Sequence, residues 1–416
     1  MLGRYDVLVL GAGVVGVSTA LHLQARGKKV AMVDFDAPGN GTSYGNAGLI
    51  ERASVIPYGF PRKLSAIMKY ALNRQPDMHY KWSGLLANAP WLWRFWKNSA
   101  PKLLMSAAQD MLPLIERSVS EHAALITQAN LQHLVRKSGW IEVFRSEELL
   151  KEAVAEAEQR GAFGLEFHVL DAAALQREEP ALKPLLAGGI HWQDPWTLNN
   201  PQGLVQGYAQ LFQKNGGVLL KADANGLSKE RSDWVLPVTV GKTLAASQLV
   251  IALGSEGHKF LRRWGYRLPV AIKRGYHLHF AVNEAEPFLQ KPVCETAGGY
   301  VLSPMNAGIR LTTGIEFALD NAPPDLTQIK RAAQLARELY GLGEPIETVP
   351  WMGRRGCTPD MRPIIGQAPH HQGLWINIGH NHHGMTLGPA CGRLLAEMMT
   401  GEIPFTDPVP YRVARF

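Results

Sequence analysis

The chain has 416 residues, of which 46% are hydrophobic and 19% are charged, a composition typical of a globular protein large enough for two domains. No apolar run reaches the roughly 18 residues that a membrane-spanning helix needs, and three scattered cysteines indicate a reducing, cytoplasmic setting without a disulfide framework. The net charge of +7 suits anionic ligands, but its Lys and Arg residues are dispersed, so no nucleic-acid partner is expected.

The first 34 residues carry the pattern of a dinucleotide-binding β-α-β unit. Residues 5–10 and 29–34 are apolar runs typical of buried strands, and residues 14–24 between them have the apolar spacing of a helix. Because the first strand begins so early, we expect no signal peptide.

Three glycines follow the first strand in the spacing GxGxxG. Gly11 permits a tight turn, Gly13 lets the backbone approach a pyrophosphate, and Gly16 lets the helix pack close to the strand. Asp34 ends the second strand, where its carboxylate can bind ribose hydroxyls. This arrangement predicts a bound dinucleotide, with its phosphates at the helix N-terminus.

Residues 39–48 read GNGTSYGNAG, where a nicotinamide-binding domain would usually continue with a helix. Small hydroxyl-bearing side chains suit close approach to a flavin and its phosphates. An ordinary flexible loop is the alternative interpretation of the same composition.

Residues 82–97 hold four tryptophans within a helical region that extends over residues 60–135. Trp91, Phe95 and Trp96 share one helical face, which suits either a membrane-facing helix or a helix packed on a second domain. The prolines at 90 and 101 keep this segment short, and we therefore favour packing.

The remaining elements predict an α/β protein in which an FAD-binding Rossmann-type domain is built from discontinuous segments. We assign 1–60, 195–268 and 341–416 to that domain, and 61–194 and 269–340 to an inserted α+β substrate domain carrying an antiparallel sheet. The assignment rests on these apolar runs: helices 63–72, 107–130, 146–160, 201–215, 326–340 and 387–399; strands 140–144, 165–169, 189–192, 218–220, 235–240, 249–253, 270–282, 300–303, 309–313, 363–366 and 374–378.

Two C-terminal motifs indicate the chemistry. In WMGRRGCTPDMRPIIG, Arg354 or Arg355 could bind a substrate carboxylate through two parallel hydrogen bonds, although a structural ion pair is the usual role of such a pair. In GHNHHGMT, Thr386 is expected to open the last helix and to aim its positive end at a flavin edge. The histidines have no nearby carboxylate or Cys, so we expect no metal site.

These motifs, GAGVVG with Asp34, TSYGNAG, ALGS at 252–255, GRRGCTPDMRPIIG and GHNHHGMT, resemble the D-amino acid dehydrogenase family within the FAD-dependent glycine/D-amino acid oxidase superfamily. Arg355 matches the carboxylate-binding arginine, while Gly356 and Met361 depart from the usual Pro and Gly. Related sarcosine oxidases carry their flavin-linking Cys where this chain has Gly353, which implies non-covalent FAD.

The combined residue patterns and resemblance imply one set of FAD contacts. Its members are Gly11, Gly13, Val14, Val15, Gly16, Asp34, Thr42, Ser43, Asn46, Ala47, Gly48, Leu49, Ala224, Gly254, His382, His383, Gly384, Met385 and Thr386.

The implied reaction is oxidative deamination of a D-amino or imino acid by hydride transfer from Cα to flavin N5. Arg355 would bind the carboxylate, His382 or a water would accept the amine proton, and Tyr276 would hold the carboxylate or close the pocket. The alternatives are a secondary-amine oxidase of the sarcosine or opine type and an FAD-binding subunit without independent activity. The expected acceptor is not oxygen and could be quinone-linked, at a weak peripheral contact with the inner face of the cell membrane.

Overall fold

The computed structural model describes residues 3–239, 241–282 and 287–416. Its strands are β1 (Gly3–Leu10), β2 (Val30–Asp34), β3 (Leu49–Ile50), β4 (Met78–Tyr80), β5 (Val135–Arg136), β6 (Trp140–Phe144), β7 (Phe167–Asp171), β8 (Gly188–Trp192), β9 (Trp196–Leu198), β10 (Val218–Lys221), β11 (Ser228–Glu230), β12 (Asp233–Thr239), β13 (Lys242–Ile251), β14 (Ala271–Val282), β15 (Val293–Glu295), β16 (Tyr300–Met305), β17 (Gly308–Thr313), β18 (Ile315–Phe317), β19 (Leu342–Pro345), β20 (Trp351–Cys357), β21 (Ile364–Gln367) and β22 (Leu374–Ile378). Its helices are α1 (Val14–Gln24), α2 (Leu64–Ala71), α3 (Trp82–Ala87), α4 (Ala89–Asn98), α5 (Pro101–Gln128), α6 (Glu147–Gly161), α7 (Ala172–Glu178), α8 (Pro201–Lys214), α9 (Gly257–Arg262), α10 (Thr327–Leu339) and α11 (Gly384–Thr400).

The first sheet has a parallel centre in the order β10-β2-β1-β13-β22. The antiparallel strands β12 and β11 extend from the first part of β13, and β21 pairs antiparallel with β22. Helices α1, α5, α8 and α11 share one hydrophobic core with this sheet, in which Val9, Val17 and Leu387 are fully buried. This layer confirms the predicted dinucleotide-binding fold, and α1 has the predicted bounds.

The second sheet is mostly antiparallel, in the order β4-β18-β14-β17-β16-β15-β6-β8-β7, with β19 and β20 also paired to β14. Alternation along β14 separates two environments. Tyr276 and Phe280 pack in a core with Ala336 of α10, whereas Gly275 and His277 face Arg355 and Trp351. The predicted antiparallel sheet is therefore present, and one of its faces points towards the first sheet's loops.

Two observations bear on the predicted domain boundaries. Strands β19 and β20 pair with β14 of the second sheet, although residues 341–416 were assigned to the FAD-binding domain. Helix α5 shares the core of the first sheet, although residues 61–194 were assigned to the other domain. We propose that α5 belongs to the nucleotide domain and that the last boundary follows Cys357.

The tryptophan-rich helix α4 packs against strands of the second sheet, which agrees with the favoured packing interpretation. Trp91 and Phe95 are buried in a cluster with Phe317, and the Trp91 indole N–H donates to the Cys357 carbonyl at 3.0 Å. Trp93, by contrast, lies on the exposed side of the helix. Among the described residues, no helix has both the length and the apolar character needed to cross a bilayer.

The last helix begins at Gly384 rather than at the predicted Thr386, and Pro389 lies inside it. A proline lacks the N–H that would bind the carbonyl four residues earlier. The buried His122 replaces that donor, because its Nε2 lies 2.7 Å from the Met385 carbonyl oxygen. The helix ends at Gly401 (φ 75°), as predicted.

The strand predicted over residues 235–240 is present up to Thr239, and Val240 lies outside the described residues.

Candidate active site

A cavity of about 1200 Å³ extends from the carboxyl ends of the parallel strands to the facing side of the second sheet. Gly11, Asp34 and Ala252 line it on the side of the first sheet, and Gly275 and Arg355 line it on the other. In parallel sheets of this type, ligands bind at the carboxyl ends of the strands.

The glycine-rich turn brings backbone rather than side chains to this cavity. Gly11 has φ +109°, and a Cβ there would lie 2.3 Å from the Ala252 carbonyl oxygen. A Cβ on Gly16 would lie 1.9 Å from the Gly11 carbonyl oxygen. At Gly13 the nearest atom would be Ser43 Oγ at 3.5 Å, so the space beside Gly13 is left open for a ligand.

Asp34 holds the glycine turn in place. One carboxylate oxygen accepts the Ala12 N–H at 2.6 Å, and the other accepts the Asp36 N–H at 3.2 Å. Each oxygen keeps a further lone pair for a ligand hydroxyl. The Val14 N–H at the start of α1 donates to Ser43 Oγ at 3.1 Å, which joins the turn to the 39–48 loop.

The 39–48 loop is held by hydrogen bonds to two strands of the second sheet. The buried Arg310 of β17 donates through one guanidinium nitrogen to the carbonyls of Tyr44 and Asn46, at 2.8 and 2.6 Å. Thr42 Oγ1 donates to the Arg354 carbonyl at 2.8 Å. Gly48 has φ +77°, and a Cβ there would lie 2.4 Å from the Leu198 carbonyl oxygen. These contacts hold the loop in one position, where it forms a wall of the cavity.

The histidine loop leads the N-terminus of α11 into the cavity. His380 and His383 are buried, and burial lowers their pKa values to about 3 and about 4, so both are neutral near pH 7. The N-cap residue His383 makes no side-chain cap, which leaves the first N–H groups of α11 free to bind a ligand. Thr386 Oγ1 accepts the Glu51 N–H at 2.9 Å.

The two arginines of β20 differ in their surroundings. Arg354 is paired with Glu256 at 3.4 Å and donates to the Asp320 carbonyl at 2.9 Å. Arg355 donates to the Gly314 carbonyl at 3.0 Å, and within the described chain no carboxylate lies within ion-pair distance of it. Burial lowers the pKa of Arg355, but a guanidinium remains charged at neutral pH. Arg355 therefore offers an unpaired positive charge to the cavity.

The other two predicted catalytic residues, Tyr276 and His382, lie differently relative to the cavity. Tyr276 borders the cavity, but its side chain lies in the core on the far face of β14, where the hydroxyl donates to Glu316 at 2.6 Å and accepts the Asp325 N–H at 3.0 Å. That hydroxyl is not placed to hold a substrate carboxylate. His382 does reach the cavity, with its ring 5.4 Å from that of Tyr58. Enclosure in the cavity, together with the positive charges of Arg355 and Lys273, lowers its pKa well below the usual value, which makes it a weak proton acceptor.

Most of the residues predicted to bind the cofactor line this cavity; Gly16 and Gly48 do not, and they act through close backbone packing instead. The sequence motifs missed a group of wall residues brought in from several elements: Glu51, Ser54, Tyr58, Trp140, Cys294 and Met352. The sequence around each of them is that of an ordinary strand or loop. No local motif therefore indicates that they line a cavity.

Comparisons with known proteins match this geometry. The family model described as FAD dependent oxidoreductase matches residues 6–398. The chain is 28% identical to a D-amino acid dehydrogenase of Chromohalobacter salexigens, over 99% of both chains. It is 27% identical to a D-amino-acid oxidase of Bradyrhizobium diazoefficiens, over 100% of this chain and 99% of the relative.

The fold is similar to that of glycine oxidase from Geobacillus kaustophilus, with a TM-score of 0.75 and 22% identity over 99% of both chains. It is also similar to iminodiacetate oxidase from a Chelativorans species, with a TM-score of 0.72 and 20% identity over 98% of both chains. The glycine turn, Asp34 and the cavity beside them fit the FAD that this family uses. The chain belongs to the family of FAD-dependent oxidoreductases.

Proposed function

We propose that this chain oxidises the Cα–N bond of a D-amino or imino acid to the corresponding imine, which water converts from a primary amino acid to the 2-oxo acid and ammonia. The observation that carries the proposal is the unpaired Arg355 guanidinium in the cavity wall, which suits a substrate carboxylate. The names of the relatives from Chromohalobacter and Bradyrhizobium support the D configuration.

In this proposal the chain's residues bind and orient the substrate. Arg355 holds the carboxylate, and Tyr58 and His382 border the space beside it. Because His382 is neutral and a weak base, the substrate amine loses its proton to water or arrives as the free base. Bound FAD supplies the acceptor for the hydride that leaves Cα.

A panel of carboxylated amines tests the proposed function. The purified chain alone is given D- and L-amino acids, D-proline and N-methylated amino acids, with an artificial electron acceptor. We expect the D-enantiomers to be oxidised fastest. A preference for N-methylated substrates would favour a secondary-amine oxidase, and no turnover of any substrate would favour a subunit without independent activity.

We further propose that FAD is bound non-covalently by the predicted contact set, since Gly353 stands where a flavin-linking Cys would be. The purified protein should be yellow, and acid or heat precipitation should release intact FAD into the supernatant. The absorbance spectrum of supernatant and pellet is the measurement. Colour that stays with the precipitated chain would contradict this prediction.

We propose a quinone-type acceptor reached at a membrane surface. The supporting feature is the surface of residues 59–105, here called the α2–α4 surface, which contains eight Lys or Arg residues and one Asp. Leu64, Met68 and Leu72 form an exposed stripe along α2, with Trp82 and Leu86 exposed on α3. Exposed apolar side chains among cations suit weak binding to anionic lipid.

Vesicle binding tests this surface. We expect weak, salt-sensitive binding to anionic vesicles but not to zwitterionic ones, because salt screens exposed charges. Met68→Glu should weaken the binding without changing dye-linked activity. Ile403→Glu is the matched control, since Ile403 is 93% exposed outside the α2–α4 surface. Rapid quinone reduction with little hydrogen peroxide should accompany turnover; stoichiometric peroxide would identify an oxidase.

A further inference from the structure

Glu51 is a buried acid in the cavity wall, and its carboxylate accepts one hydrogen bond from the described residues without a cationic partner. It is 7% exposed and lines the cavity. Oε1 accepts the Ala53 N–H at 2.7 Å, and in the described part of the chain no Lys or Arg lies within ion-pair distance of the carboxylate. Burial raises its pKa to about 7, although the Ala53 N–H, the charge of Arg160 and the indole N–H of Trp140 oppose that effect. A buried carboxyl of this kind gains from a cationic partner.

The groups around Glu51 do not supply that partner. Glu142 adds a second negative charge that raises the pKa of Glu51 further. The Tyr58 phenol is neutral at pH 7, and Cys294 is neutral because burial raises the pKa of its thiol. The charge of Arg160 lowers the pKa of Glu51, but Arg160 pairs with Glu156 at 3.5 Å and lies 5.5 Å from the centre of the Trp192 ring.

Trp140 lies beside Glu51, and its indole N–H lowers the pKa of that carboxyl without making a hydrogen bond of normal geometry to any described residue. Trp140 is 8% exposed and lines the cavity. Buried polar groups are normally paired, so an unpaired one next to an under-used carboxylate indicates a place for a polar ligand group. An indole ring also offers a face to a guanidinium or ammonium group.

The cavity is therefore bipolar. The cationic Arg355 and the acidic Glu51 both line it. Tyr58 lines the same cavity, and its ring lies 5.4 Å from that of His382.

We propose that Glu51 binds a positively charged group at the far end of the substrate side chain, so that the preferred substrates are basic amino acids. This inference rests on the proposed function, in which Arg355 holds the carboxylate of the same molecule. The cation would offset the cost of burying the Glu51 carboxylate, and the Trp140 ring would lie beside it.

D-Arginine and D-citrulline form the test pair, because they have nearly the same shape and differ in side-chain charge. For the wild-type holoenzyme with a dye acceptor, we expect kcat/KM to favour D-arginine by roughly tenfold or more. The preference should rise between pH 6 and pH 8, because the anionic form of Glu51 binds the cation and its pKa is about 7. Both substrates share the titration of the α-amine, which cancels in the ratio.

Glu51→Gln should abolish the preference for D-arginine over D-citrulline and its pH dependence, because the amide carries no charge. Gln keeps the carbonyl oxygen that accepts the Ala53 N–H. The control is Glu148→Gln, an exposed residue of α6 that should keep the preference. If Glu51→Gln does not fold, the pH dependence of the wild-type ratio still decides the matter.

The outcomes separate the two proposals. Equal turnover of both substrates, or a preference that is independent of pH or survives in Glu51→Gln, would overturn the role of Glu51 and leave the proposed function standing. Failure of every D-amino acid to reduce the flavin would overturn both.

Discussion

Replacing Arg355 with lysine is expected to lower kcat/KM by roughly 30- to 900-fold, which corresponds to about 2–4 kcal/mol of lost transition-state stabilisation. The guanidinium has no carboxylate partner among the described residues and faces the cavity, so its charge is available to the substrate. Lysine keeps one positive charge but offers a point charge instead of two parallel donors. Steady-state kinetics on the best D-amino acid, with flavin content measured for each variant, is the experiment.

Arg354→Lys is the matched control, because Arg354 neighbours Arg355 on β20 but is paired with Glu256 and the Asp320 carbonyl. Its ion pair is partly exposed to solvent. We therefore expect Arg354→Lys to reduce transition-state stabilisation, as measured by kcat/KM, by less than about 1 kcal/mol. Flavin content should be the same in both variants. If Arg354→Lys had the larger effect, the carboxylate site would belong to Arg354; if neither mattered, the carboxylate argument would fail.

The nucleotide-binding half could be predicted from the sequence because its signals are local. Strand, glycine turn and helix follow one another within residues 3–24, and the helix bounds agree with the structure residue for residue. Domain boundaries depend on distant pairing instead. Residues 351–357 pair with residues 271–277, and no local pattern shows which sheet β20 joins.

The site shows the same division between local and distant information. Arg355 was found through its motif. Tyr276 was assigned to the wrong face of β14, because side chains alternate along a strand and the sequence does not show which face meets the cavity. Glu51 was missed because its significance depends on Trp140, Cys294 and Thr386, which approach it only in the folded chain. The start of α11 was placed too late, since the sequence gives no sign that His122 compensates for the missing N–H of Pro389.

Gly16→Ala is expected to destabilise the protein by about 3 kcal/mol and to remove most of its FAD. The new Cβ would lie 1.9 Å from the Gly11 carbonyl oxygen and 2.9 Å from its carbonyl carbon, so the glycine turn itself would have to move. Urea unfolding of the apoprotein and the flavin-to-protein absorbance ratio measure the two effects. Gly161→Ala at the end of α6 is the control: its nearest atom is 3.7 Å away, and neither quantity should fall. Unchanged stability and flavin content in Gly16→Ala would contradict the close packing.

Gly13→Ala should separate cofactor binding from folding. A Cβ at Gly13 meets Ser43 Oγ at 3.5 Å, an ordinary contact, and the backbone there is extended (φ −74°, ψ 176°), so alanine fits the protein. The methyl group would nevertheless stand where the backbone approaches the pyrophosphate. The apoprotein should therefore unfold at the wild-type urea concentration while its affinity for FAD falls by roughly tenfold or more, since even about 1.4 kcal/mol of lost contact has that effect. Titration of the apoprotein with FAD measures this, and wild-type affinity would show that the pyrophosphate does not lie against Gly13.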